Sequence, residues 1–545
     1  MNSAHSSSLT RLPSHLSTIV PVPAPVLSLL VLFALGLATG CGSSSPGPPK
    51  FSGNTSVVVV LSSTANDQVT NFNLYLQTLT LTNQSGKTVT LLSSQQPVEF
   101  MHLNGGIEPL TTVTVPQDIY TSAAVTLGGA EFVCVSQDPN GGLLISHYSG
   151  VDQGPVVDLP SPITVTGDSM TLSLNLQVSS SAVFPSCYTS PIFAGYSMSP
   201  TFSLTPLVLS TSPRNPASGL VTGLQATVAS VGATGPSMTL TIPAVSFGTR
   251  TVVADTNSAT VFQGISGFSA LASGMFLNLD GALQSDGSLL ATRIEVENPS
   301  ALNIYTGPII SVDNLAPDVL QLYGRTEMGP LVTDPVNNQP GQYWEIPYFD
   351  YSSSTFQISG QLTNVLSLPF VPSFNAANIV AGQNVDITSG VLTIGGTNYT
   401  PANTITLIPQ TVDGTVEGSA TSGNFTIYTA SLASYDLFPQ LAVQPGQTTL
   451  LTNPNQVEVY VDSNTQMVNS TSLAVGSTFR FYGLVFNDNG TLRMDCGLVS
   501  DGVSFSPQTA ANAHLDVGQT QVVREGQVGL KKIIRTVTRA NQVQP

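Results

Sequence analysis

Apolar and polar residues alternate without a break through Met170, Leu172, Leu174, Leu176 and Val178, the two-residue period of a half-buried strand. Phe72, Leu74 and Leu76 keep the same period, and Leu79 and Leu81 then change phase, which predicts a bulge or bend. Val457, Val459 and Val461 alternate, as do Met238, Leu240 and Ile242. Turn residues fall between such runs: Gln84-Ser85-Gly86-Lys87, Asp286-Gly287 and Asn489-Gly490. No long helical period emerges, so the pattern predicts an all-β chain.

The run Val57 to Leu61 opens a set of strands that closes near Leu207–Leu209, read as one β-sandwich over 53–212. Beyond Pro216 the chain repeats itself. Leu271-Ala-Ser-Gly274 is followed seven residues later by Gly281, then by Asp286-Gly287-Ser-Leu289; Leu473-Ala-Val-Gly476 is followed seven later by Gly483, then by Asn489-Gly490-Thr-Leu492. Val253-Ala-Asp255-Thr-Asn257 aligns with Tyr460-Val-Asp462-Ser-Asn464. Each unit opens on a glycine strand: Val221-Thr-Gly223, Tyr305-Thr-Gly307 and Val412-Asp-Gly414. The middle copy keeps Val380-Ala-Gly382 and carries an insertion around 326–352. Five or six strands in each such unit suit a small closed barrel, an OB-like one among the forms open to it. Three barrels are expected, over 218–299, 303–400 and 408–505. The polar, basic tail 506–545 is expected either to add an edge strand over 528–537 or to be disordered.

Two segments, Pro97-Val-Glu-Phe-Met-His-Leu-Asn-Gly105 and Val115-Pro-Gln-Asp-Ile-Tyr120, resemble a secreted bacterial family, domain of unknown function 4382. Phe100 and His102 stand where that family has leucines, and Asp118 where it has Gly. The "Leu-Ala-x-Gly" repeats resemble domain of unknown function 5666, which occurs in tandem in exported bacterial proteins. Both resemblances imply a β-fold and an envelope location, and neither implies an activity.

Composition sharpens this picture. Only 8% of residues are charged, while 41% are hydrophobic; solvated faces are therefore built from Ser, Thr, Asn and Gln, which favours sheets over amphipathic helices. The formal net charge is −17. Five of the cations (Arg524, Lys531, Lys532, Arg535 and Arg539) crowd the tail, leaving an acidic body that disfavours nucleic acid.

Residues 1–40 read as an export signal. Arg11 is the sole charge, and an apolar run from Val26 to Leu37 falls short of the ~20 residues of a membrane span. The run ends in Leu37-Ala38-Thr39-Gly40-Cys41, which resembles the bacterial lipobox, with Ala38 standing where Leu is usual. Cys41 is the expected lipidation site, and residues 41–52 the expected flexible tether. The chain is thus expected to be exported and held to a bacterial membrane by lipid, on the periplasmic side or at the cell surface.

Residues that carry chemistry are few. Cys134 and Cys187 fall in one domain and are disulfide candidates, with Cys496 a buried free thiol. The histidines after Cys41 (His102, His147 and His514) show no metal-ligand spacing, and no catalytic motif or cofactor fingerprint is present. His102 reads as a structural residue on a strand, and Asn487-Asp488-Asn489-Gly490 as a hairpin turn. One cluster is unusual: Tyr343, Trp344, Tyr348 and Tyr351, together with Phe349, Glu345 and Asp350, could stack on and hydrogen-bond a sugar, or could simply pack. The expected function is non-enzymatic: display, adhesion or assembly by tandem β-modules, with an envelope protein as partner. Carbohydrate binding by the aromatic insertion is the alternative, and carboxylate-based glycoside hydrolysis a more distant one.

Overall fold

The structure is a computed structural model of the chain. It describes residues 51–64, 69–103, 106–137, 143–151, 154–183, 197–209, 219–233, 235–242, 250–298, 303–313, 318–328, 348–360, 367–390, 399–433, 436–441, 451–467 and 472–501. The chain divides into Met1–Ser52 and Gly53–Pro545, and every described strand belongs to the second unit. Cys41 and the basic tail lie outside the described residues.

The described chain is almost wholly β, with two short α-helices, Val178–Ser181 and Leu437–Leu441, and a single 3-10 turn, Phe268–Ala270. The first module is the expected sandwich. One sheet runs in the order Glu108–Pro116, Asn54–Thr64, Ser169–Gln177, Thr201–Leu207, Val156–Asp158. The other is built on Val69–Asn83 and Asp118–Gln137. The alternating face of Ser169–Gln177 puts Leu172, Leu174 and Leu176 into a core shared with Phe72, Leu74 and Phe132 of the opposite sheet. The predicted phase change falls where the register of Val69–Asn83 slips, at Leu76/Thr78. The Val115–Tyr120 segment closes a corner: the buried Tyr120 donates its hydroxyl to Pro116 O at 2.9 Å. Asp118 accepts from Asn83 Nδ2 at 2.6 Å, pinning that corner to the neighbouring turn.

Three barrel-like repeats follow, and the first and third close as five-stranded barrels with one strand order. In the first, Leu220–Val231 pairs antiparallel with Ser237–Ile242 and with Phe276–Leu283. Ser237–Ile242 pairs with Arg250–Asp255, and Phe276–Leu283 with Leu289–Asn298. Arg250–Asp255 then meets Leu289–Asn298 in parallel, which closes the ring. The third barrel repeats every pairing with Gln410–Ser422, Phe425–Leu432, Gln456–Val461, Thr478–Asp488 and Thr491–Asp501. The middle copy follows the same path through Asn303–Asp313, Val319–Leu322, Tyr348–Asp350, Asn384–Ser389 and Thr404–Leu407. There the parallel closure is made by Thr400–Pro401, just before the fifth strand. A ring of strands one-two-three-five-four with three and five parallel is the OB order.

The repeated glycines have one geometric job. The N–H groups of Gly274, Gly382 and Gly476 donate to the first strands of their barrels, at Val228, Ile309 and Val416, each at 2.8 Å. Their φ values of 88°, 99° and 84° explain the choice of residue. Asn489 and Gly490 both take positive φ, as a tight Asn-Gly hairpin requires. One sequence alignment shifts by two residues. The partner of Asp462 is Asn257, not Asp255: both open a turn whose N–H donates to a threonine hydroxyl, Thr260 or Thr465, at 3.0 Å. Those hydroxyls donate in turn to Ala291 O and Cys496 O, each at 2.7 Å.

The modules share their cores. Along Asn54–Thr64, Val57, Val59 and Leu61 face the sandwich interior, while Val58 and Val60 join the core of the first barrel. In the third barrel Val485 points into its own core, and Leu484 and Phe486 join the core of the second. Val133 of the sandwich, Ile310 and Tyr323 of the second barrel, and Leu437 and Leu441 of the third form one further cluster.

Candidate functional site

A group of buried charges sits where the sandwich meets the barrels. The strand Gln96–Glu99 ends at Glu99, and the chain then turns, so His102 lies in a turn rather than on a strand as its alternation with Phe100 suggested. Phe100 enters the sandwich core. Glu99 Oε1 accepts from Phe72 N at 3.0 Å and Met101 N at 2.8 Å. Its Oε2 accepts from His102 N at 2.8 Å and lies 3.3 Å from His102 Nδ1. The other ring nitrogen, Nε2, lies 2.7 Å from Glu108 Oε2. Glu108 Oε1 meets the guanidinium of Arg250, from the third strand of the first barrel.

Glu99, Glu108 and Arg250 are all buried. Buried charges are tolerated only when paired and hydrogen-bonded, and here the pairing crosses a module boundary. Burial pushes the Glu99 carboxyl upward, but the His102 hydrogen bond and charge, the Phe72 N–H and the nearby Arg325 outweigh it and hold it below the ordinary value. Burial lowers the Arg250 guanidinium to about 10. Arg325 belongs to the second barrel, so three modules meet in this charge array. Both ring nitrogens of His102 face carboxylates, and through Glu108 and Arg250 the array links the sandwich to the first barrel.

A second acid stands out in the third barrel. Asp495 is buried, and among the described residues its Oδ2 has no hydrogen-bond partner. Burial, with Asp462 adding like charge, raises its carboxyl to about 7. The first barrel has Leu290 at the equivalent position, so the fold does not need this acid. Cys496 beside it is a buried free thiol, as expected, and burial pushes it well above the ordinary thiol range.

The aromatic candidates part company. Tyr343 and Trp344 lie outside the described residues. Tyr351 is 1% exposed and packs edge-on against Phe356 in the second barrel's core, so its ring is used in folding rather than displayed as a platform. Burial and the carboxylates of Asp318 and Asp313 raise its hydroxyl far above the ordinary range. Phe349 is likewise core. Tyr348 is half-buried, and its ring centroid lies 6.0 Å from that of Tyr399, which is 41% exposed. Asp350, two residues on, accepts from Ser352 Oγ at 2.7 Å. Cys187 and the side chain of Cys134 also lie outside the described part; the Cys134 backbone sits in Asp118–Gln137 opposite Ser146. Asn487 Oδ1 accepts from Gly490 N at 2.8 Å, and Asp488 Oδ2 lies 2.7 Å from Arg493 Nη1, so the Asn487–Gly490 oxygens serve their hairpin.

Sequence reasoning passed over Glu99, Glu108, Arg250 and Arg325. The one available signal was Glu99, a charged residue inside the apolar Pro97–Leu103 segment of a chain with few charges.

Comparison with known proteins adds one family. The model of a domain of unknown function (DUF5666) matches residues 225–295, which is the first barrel from within its first strand to its fifth. No curated protein matches. A solved structure, described as glycoside hydrolase family 32 from Bifidobacterium adolescentis, is similar at 11% identity and a TM-score of 0.11. That alignment covers 82% of this chain and spans 66% of the other. At that score it carries no argument about fold or activity.

Proposed function

We propose that this chain is a non-enzymatic lipoprotein of the bacterial envelope, a rigid display or assembly scaffold held to a membrane through Cys41. The observation that carries the scaffold reading is the sharing of cores between modules. Val58 and Val60 belong to one module by chain and to the next by packing, and so do Leu484 and Phe486. Modules joined by flexible linkers would keep those positions polar. On this reading the second and third barrels are further copies of the domain matched in the first, and the sandwich is the domain that Pro97–Gly105 and Val115–Tyr120 resemble. The anchor rests on the lipobox-like Leu37–Cys41 and the Gly/Ser/Pro-rich stretch after it. An envelope protein is the partner proposed.

The test is metabolic labelling with an alkyne-bearing fatty acid. Wild-type chain should be labelled and sediment with membranes, and Cys41→Ala should lose both properties. Unchanged retention of Cys41→Ala would remove the anchor. Cross-linking in intact cells should then recover one specific envelope protein.

A second reading, carbohydrate binding, is favoured by one observation. Tyr348 opens the third strand of the second barrel, and Tyr399 ends the loop between its fourth and fifth. In OB barrels the face of strands two and three and the loop between four and five hold oligosaccharides. Glycan-array binding that is lost in Tyr399→Ala and Trp344→Ala would support this reading. Binding indifferent to both substitutions, or none at all, would end it.

A further inference from the structure

The second and third barrels meet across a face built by three paired strands of the third. Asp495 lies opposite Leu484 on one side and Tyr460 on the other, so the three side chains share one face of the sheet. Leu484 joins the core of the second barrel. The Tyr460 ring lies 5.0 Å from that of Phe370, a second-barrel residue that also packs edge-on against Phe486 at 5.9 Å. Two more second-barrel residues fasten the joint: Gln383 Nε2 donates to Val485 O at 3.0 Å, and Val380 enters the third barrel's core. Asp495 is thus an acid placed in a seam between modules.

Nothing among the described residues compensates a charge there. Asp495 is 5% exposed, and its Oδ2 has no hydrogen-bond partner. The second-barrel segment 367–385, which supplies Phe370, Val380 and Gln383, contains no charged or titratable side chain. On the third barrel the neighbouring groups are engaged elsewhere. Arg493, two residues back, lies 3.1 Å from Glu458 and 2.7 Å from Asp488, with its guanidinium over the Phe370 ring. The Tyr460 hydroxyl donates to Glu458 Oε2 at 2.9 Å, that of Tyr482 pairs with Thr222 of the first barrel, and the Cys496 side chain joins the third barrel's core. Asp462 adds a second acid, fixed by its own turn: Oδ1 accepts from Asn464 N at 2.8 Å and Oδ2 from Asn464 Nδ2 at 3.0 Å. A carboxylate buried beside like charge and without a cation is costly, and the neutral acid is not.

We propose that the junction of the second and third barrels is an acid-locked joint: with Asp495 protonated the two barrels move as one body, and its ionisation lets the third barrel part from the second. Burial and Asp462 hold the carboxyl at about 7 while the joint is closed. Parting the barrels returns it to water and to the ordinary carboxylate range, so loss of the proton favours the open form. The ratio of open to closed joint should rise about a hundredfold between pH 5 and pH 8. The joint decides at which pH the scaffold is rigid, whether or not Cys41 carries a lipid.

The experiment asks whether the two barrels lose structure together. The full chain is equilibrated in increasing urea at pH 5 and at pH 8, given a brief deuterium pulse and read by mass spectrometry. Asn384–Ser389 reports on the second barrel and Phe425–Leu432 on the third. Wild type should lose protection in both at one urea concentration at pH 5, and at two separate concentrations at pH 8. Asp495→Asn and Asp495→Leu, the second taking the residue that the first barrel has at this position, should keep a single transition at pH 8. Any other pattern overturns the joint: transitions that coincide at both pH values in wild type, transitions equally separate at both, or variants that separate at pH 8 as wild type does. Should either variant fail to fold, the wild-type comparison of the two pH values still decides.

Discussion

At the scale of single residues, two buried carboxyls pull stability in opposite directions with pH. Glu99 is held below the ordinary 4.5: burial raises it, and the His102 ring, the Phe72 N–H and Arg325 together overcome that effect. A carboxyl depressed by folding stabilises above its unfolded pKa, and that stability is lost as pH falls through the folded value. Glu99→Gln leaves a neutral amide facing N–H groups and a ring that had a carboxylate. It should cost about 1–3 kcal/mol at pH 7 and markedly less at pH 3, as read by urea unfolding at both pH values. Asp495 behaves oppositely. Its carboxyl is raised to about 7 by burial and by Asp462, so the folded chain holds that proton more tightly than the unfolded one. Stability should fall as pH rises from about 4 to about 7, by up to ~4 kcal/mol, and level off above. Asp495→Asn should flatten that decline and be more stable than wild type at pH 8. A variant with the wild-type pH profile would show that Asp495 does not carry it.

At the scale of elements, the repeated glycines separate two kinds of constraint. A Cβ on Gly476 would meet nothing within 4 Å, so its cost is the positive φ of 84° alone. A Cβ on Gly483 would strike the backbone carbonyl oxygen of Asp495, on the strand paired with it. Gly476→Ala should therefore cost about 1 kcal/mol, and Gly483→Ala about 2–4 kcal/mol because backbone must move. Chemical denaturation of the two variants checks the order; equal costs would contradict it. This is also where the sequence was most readable. The period of Met170–Leu176, the Asn489-Gly490 hairpin and the "Leu-Ala-x-Gly" turns are local devices and appear where their residues imply, although Val178, which continues the alternation, opens a short helix instead. The two-residue slip at Asp462 arose because the turn is set by a threonine hydroxyl, Thr260 or Thr465, rather than by the acid that looked common to both copies.

At the scale of the whole molecule, what the sequence hid was partnership across distance. Glu108 and Arg250 are 142 positions apart, and nothing local in either marks the other. Tyr351 belongs to a cluster whose residues could stack on a sugar or simply pack, and only the barrel around it shows that its ring is core. One trace of the assembly was visible all along. Val57 to Leu61 is apolar at every position, where a strand with one solvated face would alternate. Leu484-Val485-Phe486 follows the same rule, and both runs lie where two modules meet. A polar substitution on the outward side of such a strand should cost as much as one in a core. Val58→Asp should destabilise by about 3 kcal/mol or more, as read by thermal unfolding, although Val58 faces away from its own sandwich.

The central claim is that the sandwich and barrels act as one body, clamped where Glu99, His102, Glu108 and Arg250 meet. Hydrogen exchange read by mass spectrometry on wild type and Glu108→Gln tests it most directly. The clamp predicts faster exchange in both Glu108–Pro116 of the sandwich and Arg250–Asp255 of the first barrel. A change confined to Glu108–Pro116, with the first barrel exchanging as in wild type, would contradict it and return the modules to independent beads on a chain.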